Sequence, residues 1–246
     1  MIQEISAASL YLGAALAVGI VSISAGFGEC QSAAYTIKAM ARQPESAGTL
    51  LKSMLISAAV TETGAIFCLV VGLLLIFGGF LEQTVDLAKG ACFLAAGLSV
   101  GLGTMGPNFG SGYTGAEACA GMARTPSQSM PLTTNMLVGQ ALAQTSAIYA
   151  LVVSILLLYT VDNVSGYSMG WQIVRVGAYI GAALSIGIGT LGAGIGTGYA
   201  VGVANRLIAR YVEQRGLFMR LTILSSAIAQ TTAIYAMVIS FLLIFI

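Results

Sequence analysis

Three stretches of the chain repeat one another: "ETGAIFCLVVGLLLIF" from Glu62, "QTSAIYALVVSILLLY" from Gln144 and "QTTAIYAMVISFLLIF" from Gln230. The register extends well beyond them. Arg42 in "AMARQPE" recurs as Arg124 in "GMARTPS" and Arg210 in "LIARYVE", and the same offsets of 82 and 86 residues carry Glu62 to Gln144 and then to Gln230. Thirteen residues before each arginine stand Glu29, Ser111 and Thr197, within "GFGECQ", "NFGSGY" and "GIGTGY". A repeat at a fixed spacing of this kind requires one supersecondary unit used three times. The units divide the chain at 1–82, 83–164 and 165–246.

Composition says what the unit is. Hydrophobic residues make up 57% of the chain and charged ones only 8%, with no histidine. Soluble domains carry about a quarter charged residues, so the chain reads as an integral membrane protein. Six apolar stretches lie near 5–40, 48–80, 87–122, 131–160, 171–208 and 218–246. Each exceeds the ~20 residues that cross a bilayer as a helix and is too long for a barrel strand. The expected fold is all-α: six transmembrane helices as three tandem hairpins. The N-terminus has no basic region ahead of its first apolar run, which argues against a cleaved signal. Cys30, Cys68, Cys92 and Cys119 are scattered singly and read as small packing residues, without disulfide or metal spacing. A net charge of +1 excludes a nucleic-acid surface.

Charge placement sets the orientation. Lys38, Arg42, Lys52, Arg124, Arg206, Arg210, Arg215 and Arg220 cluster at the turns inside the hairpins. Only Lys89 and Arg175 lie near the connections between hairpins, beside Glu82, Asp86 and Asp162. By the positive-inside rule the turns face the cytoplasm and both termini the other side.

The first helix of each unit is rich in glycine, as in "GLGTMGPNFGSGYTG" (101–115) and "GIGTLGAGIGTGYAVG" (187–202). GxGxxG occurs within them by chance, but a nucleotide loop needs a preceding strand and an aqueous phosphate site. Small residues instead let helix backbones touch where lipid offers no hydrophobic drive. Glycines at alternate positions turn ~200° per step and bare two opposite faces, which suits a helix squeezed between neighbours in a ring. The bulkier second helices then form an outer, lipid-facing layer, so the hairpins assemble into a two-layered ring.

Glu29 and Glu62 are nearly equidistant from the turn at Gln43–Ser46, about 20 Å from the cytoplasmic end at 1.5 Å per residue. An acid at that depth costs roughly 2.5–3.5 kcal/mol, and like-charge proximity opposes ionising both. Such a pair shares a proton, binds a cation, or does both in turn. Gln144 and Gln230 read as interhelical hydrogen-bonding groups instead.

These residues resemble the c subunit, or proteolipid, of rotary F- and V-type ATP synthases and ATPases: a Gly-rich first helix, an Arg42-Gln43-Pro44 turn, and a carboxylate in "ETGAIF…LVV". The turn is most like the F-type family, and the fusion of hairpins with loss of carboxylates more like the V-type rotor subunit. The resemblance covers essentially the whole chain. It implies a ring of identical subunits in a prokaryotic plasma membrane, in contact with lipid. It also implies a static membrane subunit with two half-channels and central-stalk subunits docked on the turns at Arg42, Gln43, Pro44, Arg124 and Arg210. No cofactor and no nucleotide chemistry in this chain are implied; ion flow through the ring couples to ATP synthesis or hydrolysis elsewhere in the complex. By resemblance Glu62 is the ion carrier and Glu29 a second ligand position. Thr63 supplies a hydroxyl and Val60 a backbone carbonyl. Gln144, Gln230, Thr145 or Thr231 from a neighbouring hairpin complete the set. Several hard oxygens suit a small hard cation, which favours Na⁺ over H⁺ as the transported ion. The family's supporting tyrosine is replaced by Phe67, and the small hydroxyl residue by Gly64, whereas hairpins two and three keep Ser146 with Tyr149 and Thr232 with Tyr235.

Glu117, about two turns from the cytoplasmic end, reads as a solvated or snorkelling residue. Trp171 and the tyrosines near helix ends read as interface anchors, and Pro107 as a kink site. The alternative is a self-contained secondary cation transporter or channel, whose repeats would converge on a central path through broken helices.

Overall fold

The computed structural model describes residues 2–80, 86–159 and 168–246, without the side chains of residues 2, 3, 5 and 6. The unit boundaries near 82 and 164 fall outside these residues, as do Glu82 and Asp162. Six long helices account for nearly all of the rest: α1 (Ile2–Arg42), α2 (Ala47–Phe77), α3 (Leu87–Arg124), α4 (Ser129–Tyr159), α5 (Met169–Arg210) and α6 (Arg215–Phe245). All six are long and apolar enough to cross a membrane.

Each hairpin turns on the same short device. At Gln43 the backbone leaves the helix (φ −139°, ψ 73°), and Pro44–Ser46 form a single 3₁₀ turn. Pro44 stands at the first position of that turn, where its missing N–H costs nothing. Gln43 N–H still donates to the Ala39 carbonyl at 2.9 Å, and Ser46 N–H to the Gln43 carbonyl at 3.1 Å. Thr125 with Pro126 repeats the device. So does Tyr211 with Val212, which shows that the geometry survives without proline. The far end of α2 stops earlier than the apolar run suggests, because Gly78 closes it on the Leu74 carbonyl at 2.8 Å. Gly79 then takes φ +72°, a conformation open chiefly to glycine. In the second hairpin α3 continues through Pro107 as one helix.

The helices form two layers. α1, α3 and α5 stand side by side, with α3 in the middle. α2 rests over the groove between α1 and α3, α4 over that between α3 and α5, and α6 on α5. Burial follows: 72% of the most apolar stretch of α3 is covered, against 22% for α6. Backbone contact holds the inner layer. A Cβ on Gly112 would fall inside the backbone of Gly28, and one on Gly198 inside that of Gly110. The outer edges look different. Gly19 and Gly26 on α1 and Gly192 on α5 have nothing within 4 Å.

The packed interior has three levels. Near the chain termini Leu10, Cys68, Phe93, Leu157, Tyr179 and Ile244 build an apolar core. Near the turns Leu50, Met122, Leu132, Met136 and Ile208 build a second. Between them lies a polar belt of buried side chains, among them Ser24, Ser57, Asn108, Ser111, Gln140 and Thr197. Polar groups in an apolar medium must find partners, and here they tie hairpin to hairpin. Gln140 Nε2 donates to Ser57 Oγ at 2.7 Å and to the Ser111 carbonyl at 2.9 Å. Asn135 Nδ2 donates to Asn205 Oδ1 at 2.8 Å.

Candidate functional site

The polar belt is where the repeat's acid and amides sit. Gln144, on α4, is 6% exposed. Its Nε2 donates to Ser111 Oγ at 3.2 Å on α3 and to the Val60 carbonyl at 3.3 Å on α2, and approaches Asn108 Oδ1 at 3.4 Å. Gln230, on α6, repeats this one hairpin further along. It is 7% exposed, and its Nε2 donates to Thr197 Oγ1 and to the Leu142 carbonyl, both at 3.1 Å. Each amide thus reaches a hydroxyl on its own inner helix and a carbonyl on the preceding outer helix. The accepting carbonyls also share a local feature. Thr63 donates to Val60, Thr145 to Leu142 and Thr231 to Ile228, each hydroxyl at 2.7 Å.

Glu62 occupies the same register position on α2, at an edge where no neighbouring hairpin lies among the described residues. Its side chain is exposed, while Glu29 on α1 is half-buried. The two carboxylates lie within each other's electrostatic reach. The structure sets Glu29 and Glu62 within electrostatic range of each other and places Val60 and Thr63 at the next junction, where the Val60 carbonyl serves Gln144. Arg42, Gln43, Pro44, Arg124 and Arg210 all stand at the hairpin-turn end.

The chemistry of the amides is informative. An amide N–H₂ is a donor, and the groups it meets at both internal junctions, a carbonyl and a hydroxyl, can accept. A carboxylate there could accept from the hydroxyl but would oppose oxygen to oxygen at the carbonyl, which it could bridge only through a proton or a cation. Glutamine therefore carries permanently the donor that glutamate must borrow. The Oε1 atoms of Gln144 and Gln230 are buried without a partner.

Asn108 is a participant that sequence reasoning missed. Glycines stand at its repeat-equivalent positions, Gly26 and Gly194, so an asparagine interrupting the glycine pattern was the available signal. Its Nδ2 donates to Ser24 Oγ at 3.3 Å, and its Oδ1 lies where a Cβ on Gly64 would be. Gly64, an odd departure in the sequence, is the slot for Asn108. Phe67 and Tyr149 each pack against the apolar core, whereas Tyr235 is 67% exposed.

Glu117 corrects an expectation. It is 4% exposed and held by Arg206, whose Nε donates to Oε2 at 3.1 Å and whose Nη2 meets Oε1. α5 covers it from the side, so the carboxylate is held in an ion pair rather than extended freely into water. The pair lines a cavity of about 390 Å³ with Lys38, Arg42 and Arg124. Of the four cysteines, Cys68, Cys92 and Cys119 are buried and Cys30 is exposed.

The fold defines an integral membrane protein built from three tandem antiparallel helical hairpins. The ATP synthase C-subunit family matches it three times, over residues 12–75, 94–157 and 180–243. The chain is 52% identical over 66 residues to the ATP synthase c subunit numbered 2 of Cereibacter sphaeroides, which is 27% of this chain and 80% of that one. It is 40% identical over 85 residues to the ATP synthase c subunit of Thermotoga maritima, 33% of this chain and 100% of the relative. The match to the ATP synthase c subunit of Petrotoga mobilis is 44% over 66 residues, 27% of this chain and 69% of the other. The chain belongs to the ATP synthase C-subunit family, in a form with three fused hairpins. Members of this family form the ion-translocating rotor ring of the synthase, and membership does not favour the self-contained transporter.

Proposed function

We propose that the chain is a rotor-ring subunit that carries one Na⁺ per copy at Glu62, with Glu29 as second ligand, H⁺ being the alternative cargo. The observation that supports this is the amide geometry. At two register positions a built-in N–H₂ bridges a hydroxyl and a carbonyl across a hairpin junction. At the third, the side chain is an acid that can make the same bridge only with a bound cation or proton. Carboxylate and carbonyl oxygens are hard ligands suited to a small hard cation.

The same chemistry gives transport. An ionised Glu62 costs roughly 2.5–3.5 kcal/mol at mid-bilayer, so it traverses the lipid only when neutralised. Ion exchange is then confined to where a static partner offers a polar path. The turns, with Arg42, Gln43, Pro44, Arg124 and Arg210, face the cytoplasm and meet the central stalk, and both termini face away.

Carbodiimide labelling of the detergent-extracted protein tests the reading. Modification at Glu62, slowed by millimolar Na⁺, is expected. Labelling indifferent to Na⁺ at every pH refutes Na⁺ as the cargo.

A further inference from the structure

The two junctions between successive inner helices differ at the hairpin-turn end. At the second, Glu117 on α3 is held by Arg206 on α5. The register that carries Arg42 to Arg124 and Arg210 also relates Tyr35, Glu117 and Val203, and likewise Lys38, Ala120 and Arg206. The matching pair at the first junction is therefore Tyr35 on α1 and Ala120 on α3. A phenol and a methyl stand there in place of a carboxylate and a guanidinium, and the volume that an arginine side chain fills at the second junction is left open. That opening is the cavity of about 390 Å³, between Tyr35, Lys38 and Arg42 on α1 and Ala120 and Arg124 on α3, together with the Glu117–Arg206 pair.

Its walls are charged one way. Four cations, Lys38, Arg42, Arg124 and Arg206, meet one carboxylate, and both oxygens of that carboxylate are taken by Arg206. Among the described residues Lys38, Arg42 and Arg124 make no ion pair. Lys38 rests over the Tyr35 ring at 5.3 Å, both at the cavity wall. The three cations are exposed and so can turn onto a ligand. A cleft lined by charge of one sign concentrates the opposite one, so the cavity is built for an anion. Every lining residue comes from α1, α3 or α5, which places the cavity in the inner layer.

We propose that this cavity binds a phosphate group, at the first internal junction and not at the second. The guanidinium forks of Arg42 and Arg124 and the ammonium of Lys38 donate to the phosphate oxygens, and the Tyr35 hydroxyl donates beside them. A carboxylate offers two oxygens in one plane. A phosphate points its oxygens along tetrahedral directions and so meets donors arriving from α1 and α3 together. Glu117 does not repel the ligand, because Arg206 neutralises it. The volume falls within the ~300–1,000 Å³ of ordinary small-molecule sites, room for a diphosphate or for the phosphoglycerol head of a lipid. α1 has 41 residues, ~60 Å at 1.5 Å each, twice a hydrocarbon core of ~30 Å. Its charged end therefore stands at headgroup level or beyond, within reach of a lipid phosphate and of a soluble one.

The experiment uses rings of the full chain, purified in detergent with and without the other subunits of the complex. It follows amine-reactive labelling of Lys38 by peptide mass spectrometry. Lys52, exposed on α2 and outside the cavity, is the internal control. Two probes separate the sources: inorganic pyrophosphate in detergent, and phosphatidylglycerol added to phosphatidylcholine nanodiscs. Slower labelling of Lys38 but not of Lys52 is expected with at least one probe, and the probe that protects names the source. In Arg124→Gln the amount of that probe giving half protection should rise about tenfold, as loss of one charge-assisted hydrogen bond does. Ala120→Leu fills the cavity without changing its charge and is expected to abolish protection. Should that ring fail to assemble, Arg124→Gln, changed at an exposed residue, decides alone. Equal protection of both lysines, protection by neither probe, or an Arg124→Gln ring that behaves as wild type overturns the proposal. So does protection found only while other subunits are attached, which would assign the basic face to a protein partner.

Discussion

Gln144→Glu restores to the second hairpin the residue type of the first, yet it is expected to create a weaker junction and no ion site. The amide has two N–H donors and uses them on Ser111 Oγ and the Val60 carbonyl, with Asn108 Oδ1 alongside. A protonated carboxyl has one donor. The Ser111 hydroxyl can turn to donate to the carboxyl, but the Val60 carbonyl and Asn108 Oδ1 only accept, so one of those two faces a carboxyl oxygen, at a cost of about 1–3 kcal/mol. Ionising the group instead adds roughly 2.5–3.5 kcal/mol at this depth. A cation could relieve that, but Asn108, seated over Gly64, crowds the position of the amide. The assay is carbodiimide labelling read by peptide mass spectrometry, with thermal dissociation of the ring in detergent. Expected are a lower dissociation temperature and a new carboxyl that shows no Na⁺-protected modification. If it labels and is protected as Glu62 is, then glutamine is not what silences this junction, and the amide argument is wrong.

The converse change, Glu62→Gln, supplies the missing donor, so rings should assemble with dissociation temperature unchanged or raised while ion-coupled ATP turnover is lost; failure to assemble would count against the equivalence of the three positions. Asn108→Gly removes the bonds to Ser24 and Gln144 and is expected to cost about 1–2 kcal/mol, seen as a lower ring dissociation temperature. For Glu117 and Arg206, a double-mutant cycle with both changed to Gln should give a coupling of about 1–3 kcal/mol, since one partner is buried. A coupling near zero would mean that the carboxylate is solvated after all.

Much of this was readable in the residues. Six spans, their pairing and the inner and outer layers follow from apolar length, the Arg-centred turns and the alternation of Gly-rich with Leu- and Ile-rich helices. What hid was lateral. Sequence spacing puts Val60 and Thr63 within one turn of Glu62, but successive residues on a helix point in different directions, and these two face the next hairpin. Asn108 and Gly64 lie on helices of different hairpins, so neither explains itself alone. Glu117 looked solvated because its distance from the turn was counted along the axis; the cover comes from α5 at its side.

The connections that fuse the hairpins have a consequence for motion. Separate single-hairpin proteins, some acidic and some neutral, would enter a ring in any order, leaving carriers bunched or sparse. Three hairpins on one chain remove that freedom: every hairpin with a glutamate at this position is followed by two with glutamine. In a closed ring of such copies the glutamates fall at equal angles, and the number of hairpins is a multiple of three. A static partner would then meet an acid at regular intervals of rotation. Covalent linkage thus converts a question of assembly statistics into a fixed rhythm of the rotor.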